Sequence, residues 1–294
     1  MCKTTVMHRI LVPTDFSECA EMAVEAAASI ARKTNSRLYL MHIVHIPSYE
    51  SNTSLESFQD FAEGIFIMKL VKKKFAELLA KPFLSDVNVI ELIQFDSVYE
   101  SISKQAKDNE IDLIVMGSHG TSGAKELLIG SNTERIIRTS VIPVLTIKSR
   151  HQDFNPQNII FASNFYGESD KNFSRIHAIA NIFGAKIHLL KVNTPNNFET
   201  TRYSEQLIAE FAKRTGIQNY TSNIYNDEKV EDGIHHFSER VNADLIAMET
   251  HGRTGIAHLL TGSITEGVAN HSKLPVLSVK IEKEVRSREV IFPD

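Results

Sequence analysis

"MGSHGTSGAKELLIGSNTERI", residues 116–136, carries glycines at 117, 120, 123 and 130, then Ser131, directly after the apolar run "IDLIVM" (111–116). The chain has only 13 glycines in 294 residues, so four in one short stretch need a physical reason. A second stretch, "METHGRTGIAHLLTGSITEGV" (248–268), repeats the pattern with Glu249 in place of Gly117. Aligning Gly120 on Gly252 sets an offset of 132, and 13 of the 26 positions between 111–136 and 243–268 are then identical. Nearer the start the offset is 149, pairing "ILVPTDF" (10–16) with "IIFASNF" (159–165) and "RLYLMHI" (37–43) with "KIHLLKV" (186–192). The chain is therefore a tandem duplication. Its first copy holds 17 extra residues around "IPSYESNTSLESFQDFAEG", and the polar stretch "KSRHQDFNPQN" (148–158) joins the copies.

Within each copy, short apolar runs alternate with longer amphipathic ones. "RILVP", "RLYLMHIVH", "VNVIELIQ", "IDLIVMG" and "IPVLTIK" read as strands, and "SECAEMAVEAAASIARKT", "SVYESISKQAKDN" and "SNTERIIRTS" as helices, the first capped by Ser17. A long helical region runs through residue 81. Strands this apolar, separated by helices, predict a parallel sheet covered on both faces. The expected architecture is α/β, two tandem doubly wound domains of five parallel strands each. Domain 1 covers 1–150 and domain 2 covers 151–282, leaving 283–294 as an unassigned tail. Phe58, Phe61, Phe66 and Met68 in the extended helical region read as a core-facing stripe, with a lid or partner surface as the alternative.

Composition narrows the function classes. A net charge of −4 and a pI near 6.3 give no electrostatic footing for nucleic acid or an anionic membrane. The first residues lack a signal-peptide core, and no apolar run approaches the ~20 residues that span a bilayer, so the chain reads as cytoplasmic. Cys2 and Cys19 are the only cysteines, too few for a disulfide framework or a thiolate metal site. His42, His45, His119, His235, His236 and His251 lack metal-ligand spacing, and Cys19 reads as a buried core residue.

In an open parallel sheet, ligands bind beyond the carboxyl ends of the strands, and Gly117 falls at such an end. Glycine lets the backbone approach a ligand, and the amides at a helix start suit phosphate. Gly130-Ser131 opens the following helix, with Ser131 available to cap it or to donate to a phosphate oxygen. These glycines also fit ordinary turns. No GxxxxGK[ST] is present, and the first strand runs into "PTDFSE" rather than GxGxxG.

The set Gly117-x2-Gly120-x9-Gly130-Ser131, with "ILVPTDFS" opening and "PVLTI" closing the domain, resembles the universal stress protein family, in its ATP-binding branch. The resemblance covers residues 7–148 and 156–281. It implies two halves packed as a pseudo-dimer through "VIPVLTIK" and "LPVLSVK", and an ATP site with Mg²⁺ held through the phosphates. It assigns Asp15 to the adenosine side and Ile43 to the adenine, with Thr14 at the end of the first strand and Met116 as further binding residues. Gly117, Gly120, Gly130 and Ser131 fall to ribose and phosphates, with Asn132 and Thr133 under the phosphates. A weaker second site would use Asn164, Val192, Gly252, Arg253, Gly262 and Ser263. There Asn164 replaces Asp15, and Glu249 sets a carboxylate beside the phosphates. Two like charges ~6 Å apart cost about 3 kcal/mol even at an effective dielectric near 20.

The implied function is a nucleotide-binding stress-response regulator with a tendency to self-associate and at most weak ATP hydrolysis. Two alternatives stay open: a slow ATPase or autophosphorylating enzyme, and a different small ligand in the second half. Lys125 reads as a solvated loop residue.

Overall fold

The computed structural model describes residues 7–44, 54–95, 97–118, 130–166, 170–250, 265, 267–270 and 272–281. Its elements are β1 (Arg9–Pro13), α1 (Glu18–Thr34), β2 (Arg37–Ile43), α2 (Ser54–Leu79), a 3-10 turn (Pro82–Leu84), β3 (Val89–Gln94), α3 (Val98–Asp108), β4 (Leu113–Gly117), α4 (Ser131–Thr139) and β5 (Val144–Ile147). The second half follows as β6 (Asn158–Ala162), α5 (Asp170–Phe183), β7 (Lys186–Asn193), α6 (Thr201–Thr215), β8 (Tyr220–Asn226), α7 (Val230–Arg240), β9 (Leu245–Thr250) and β10 (Val276–Lys280). Residues 265 and 267–270 are helical and correspond to the middle of α4.

The local signals act as expected. Ser17 caps α1 by accepting from the Ala20 amide at 3.2 Å, and Ser97 caps α3 in the same way. Residues 113–117 are buried throughout, as a strand covered on both faces must be. The extra residues of the first copy fall in and before α2, which is 26 residues long against 15 for α6. One expectation fails here. Phe66 on α2 is 69% exposed, and Val71, Phe75 and Leu78 form the buried stripe instead. Met68 is half-buried, and the side chains of Phe58 and Phe61 lie outside the described residues. Among the described side chains of α2, the buried face is the one that carries Val71, Phe75 and Leu78.

All ten strands form one sheet, in the order β3-β2-β1-β4-β5-β10-β9-β6-β7-β8. Every neighbouring pair is parallel except β5 and β10, which run antiparallel with Leu145 opposite Leu277 and Val144 opposite Ser278. The closing strands thus join the two five-stranded units edge to edge, as a pseudo-dimer. Pairing removes two apolar edges that would otherwise stay exposed. On each face of the sheet a single apolar cluster runs through both halves. One packs α1, α2, α5 and α6 on the strands, with Phe75, Phe173 and Phe211 from the helices meeting Phe161 of β6; the other packs α3, α4 and α7, including Ile102, Ile136 and Phe237. The Asp112 carboxylate accepts from the His8 and Arg9 amides, and Asp244 accepts from those of Gln157 and Asn158. The paired aspartates of the repeat therefore clamp the start of each first strand.

Candidate functional site

In the first half the strand order reverses between β1 and β4. Their carboxyl ends open the crevice where such sheets bind ligands. The chain leaves β1 through Thr14, Asp15 and Phe16. The Thr14 amide donates to the Met41 carbonyl at 2.8 Å, its hydroxyl accepts from the Phe16 amide at 3.0 Å, and its carbonyl meets His42 Nδ1 at 2.8 Å. Buried and committed on every side, Thr14 builds the loop. Asp15 Oδ1 accepts from the Ser17 amide at 3.0 Å. This turn leaves Phe16 at φ +63°, left-handed backbone unusual for an aromatic residue. Asn164 Oδ1 makes the same turn with the Tyr166 amide at 3.0 Å, and Phe165 has φ +60°. Either an acid or an amide thus serves the turn; only the charge differs.

His42 explains part of this geometry. A carbonyl can only accept, so the neutral ring carries its proton on Nδ1. The ring packs on Phe16 at 4.6 Å between centroids. Burial pushes the His42 pKa down, against the Thr14 hydrogen bond, and Lys74 adds to the fall while Asp15 opposes it. Ile43, next on β2, is half-buried against the apolar cluster that contains Met116. Met116 itself is core.

Gly117 ends β4, and its lack of a side chain has a cause inside the protein. A Cβ there would lie 2.7 Å from the Cys19 carbonyl oxygen and 2.9 Å from its carbon. The first turn of α1 rests on this position. Cys19, expected as buried core, is half-buried, with Sγ 3.6 Å from Ser118 Oγ. From the end of β4 two bonds reach α4: the Gly130 amide donates to the Ser118 carbonyl at 2.7 Å, and Thr133 Oγ1 to the Gly117 carbonyl at 3.1 Å. The Thr133 hydroxyl faces inward and pins the helix, as the buried Thr265 does on the Glu249 carbonyl at 3.2 Å. Gly130, rather than Ser131, is the N-cap of α4, so the N-cap residue has no side chain with which to cap the helix. Ser131 and Asn132 are exposed at its first turn, where amides lack helical partners. Gly120, Gly123, His119 and Lys125 lie outside the described residues.

The second half carries the same frame with other contents. Lys191 stands where His42 stands in the first copy, with its side chain 3% exposed and Nζ 3.2 Å from Glu199 Oε2. Nζ also donates to the Asn164 carbonyl at 3.2 Å and lies 5.0 Å from the Tyr166 ring centre, while the Tyr166 hydroxyl donates to Glu199. The carboxyl end of β7 is therefore filled by the protein's own ion pair. Val192 is pressed by α7, for a Cβ on Gly233 would lie 2.6 Å from its Cγ1. Glu249 is buried on β9, opposite Val279. Gly252, Arg253, Gly255, Gly262 and Ser263, like His251, lie outside the described residues. Sequence reading missed the Lys191–Glu199–Tyr166 cluster, although the 149 offset pairs Lys191 with His42 and so held the signal. Among the described residues, no group of three His, Cys, Asp or Glu side chains could hold a metal ion, and no helix is long and apolar enough to cross a membrane.

Known proteins share this plan. The model of the universal stress protein family matches residues 7–148 and again 156–280. The chain is 32% identical over 163 residues to Universal stress protein MJ0577 of Methanocaldococcus jannaschii, covering 50% of this chain and 99% of that one. Against Universal stress protein Slr1230 of Synechocystis it is 21% identical over 291 residues, covering 93% of this chain and all of the other. A universal stress protein from Archaeoglobus fulgidus, known from its crystal structure, superposes with a TM-score of 0.66 at 20% identity, covering 92% of this chain and 98% of that one. With two family matches laid end to end over two copies of one α/β frame, the chain belongs to the universal stress protein family as a tandem member.

Proposed function

We propose that this universal stress protein binds one adenine nucleotide per chain, ATP with Mg²⁺, in its first half, and acts as a regulator whose loaded and empty states differ in assembly. One observation carries the reading. Asp15 follows β1, Ile43 ends β2 and the first turn of α4 follows β4, so all three belong to the carboxyl edge of the first-half sheet, and the N-cap of α4, Gly130, has no side chain to cap it. An uncapped helix start suits phosphate, a carboxylate suits ribose or base donors, and an apolar wall suits adenine. Ser131 and Asn132, exposed at that turn, would meet the phosphates, and Mg²⁺ would share the phosphate charge. Thr14, Met116, Gly117 and Thr133 serve the site by shaping it. Domain boundaries at 1–150 and 151–282 give each unit its five strands.

The second half is the poorer nucleotide site, with Asn164 for Asp15, a buried carboxylate at 249 and Lys191 already seated against Glu199. Calorimetric titration with MgATP should give about one strong site per chain. Asp15→Ala, which removes a hydrogen bond to a charged group worth ~1.5–3 kcal/mol, should weaken it roughly ten- to hundredfold. Two equivalent sites, or unchanged affinity in Asp15→Ala, would overturn the assignment. Steady release of phosphate at a rate comparable to ordinary ATPases would instead favour an enzyme.

A further inference from the structure

α4 is only nine residues long, too short to hold itself together in water. At its start the sheet grips it through Gly130 and Thr133. At its end the grip comes from the other half of the molecule. Because β5 and β10 are antiparallel, each runs out beside a helix of the opposite unit. Lys280, the last residue of β10, donates from Nζ to the carbonyl of Thr139, the last residue of α4, at 3.1 Å. Lys148, its repeat partner after β5, donates to the Asn270 carbonyl at 2.6 Å, in the corresponding helix of the second half.

The final carbonyls of a helix have no helical partner and carry the negative end of its dipole, so a lysine there satisfies both needs. In α4 the Ser140 amide takes the Ile136 carbonyl, and Lys280 takes that of Thr139. We propose that Lys280, from the second half, is a positioning residue for the nucleotide site of the first half. It anchors the far end of α4 and so holds the first-turn amides, roughly 13 Å away at 1.5 Å per residue, where the phosphates dock. The inference rests on the proposed first-half site. It also gives the second half a task that its altered binding motif does not affect.

The test uses the full chain, with MgATP affinity from calorimetry and α4 amide exchange followed by mass spectrometry. Lys280→Met should weaken binding about three- to tenfold, the range expected from losing a cation and its hydrogen bond at a helix end. It should also speed exchange in α4 without nucleotide. Lys280→Arg should restore both. Arg150→Ala breaks a different contact between the linker and α1, the 2.9 Å pair with Glu25, and should leave affinity and α4 exchange unchanged. Wild-type affinity in Lys280→Met would overturn this inference alone, as would equal weakening in Arg150→Ala. Failure of the unmutated chain to bind ATP would overturn the site and the inference together.

Discussion

Gly117 shows how one residue can carry two explanations. A glycine beside a ligand loop suggests room for the ligand, yet the nearest atoms to its missing Cβ belong to the backbone of Cys19. Backbone cannot rotate aside as a side chain can. Gly117→Ala should therefore destabilise the fold itself, by about 1–3 kcal/mol in urea unfolding, as overpacking does elsewhere. No loss of stability would return the glycine to the ligand. The opposite substitution exists at 249, and reversing it should not be enough to restore a second site. Lys191 stays seated between Glu199 and the Asn164 carbonyl, so Glu249→Gly should still titrate about one MgATP per chain. A second ATP bound by that variant would show that the carboxylate alone closes the half.

α4 and its counterpart in the second half are tied to the sheet by a few polar contacts near their ends. Thr133 and Thr265 each donate a buried hydroxyl to a carbonyl in the last two residues of the neighbouring strand. Valine keeps the shape but leaves that carbonyl without its donor, which costs ~1–3 kcal/mol when buried. Both Thr133→Val and Thr265→Val should lose stability on that scale in urea unfolding. Only Thr133→Val should also weaken nucleotide binding.

The lysine after β5 adds a pH signature to the same elements. Burial lowers the Lys148 pKa from 10.5 to about 8, against the pull of Cys19. The unfolded chain then binds the extra proton between about pH 8 and 10.5. The stability that Lys148 costs is fully felt below pH 8 and is relieved as pH rises through that window. Wild-type stability relative to Lys148→Met should therefore rise between pH 8 and 10. A flat difference would mean that this lysine titrates as it does in water.

At the scale of the molecule, ten strands share one sheet because the closing strands of the two units pair back to back. Val144, Leu145 and Ile147 are buried in that seam, and the linker adds ties from Arg150 to Glu25 and from Lys33 to Asn155. Cut apart, each unit would present an apolar edge strand to water. Residues 1–150 and 151–282 expressed separately should self-associate or bind one another in sedimentation velocity experiments. Two stable, indifferent monomers would show that the seam is incidental.

Much of this was legible in the chain itself. Apolar periodicity, the Ser17 cap and the two offsets, 149 and 132, act between near neighbours or between copies of one motif, so they located strands, helices and the duplication without coordinates. Other features depended on distant groups meeting. Phe66 is exposed because it lies off the buried stripe of α2 formed by Val71, Phe75 and Leu78. Ser131 gives up the cap to Gly130 because the Gly130 amide is drawn onto Ser118. The Lys191 cluster depends on the segment before α6 bringing Glu199 to the end of β7. Lys280 reaches Thr139, 141 residues away, only because two strands run antiparallel across the seam. Short-range chemistry set the elements; their order and direction in one sheet decided which distant side chains meet.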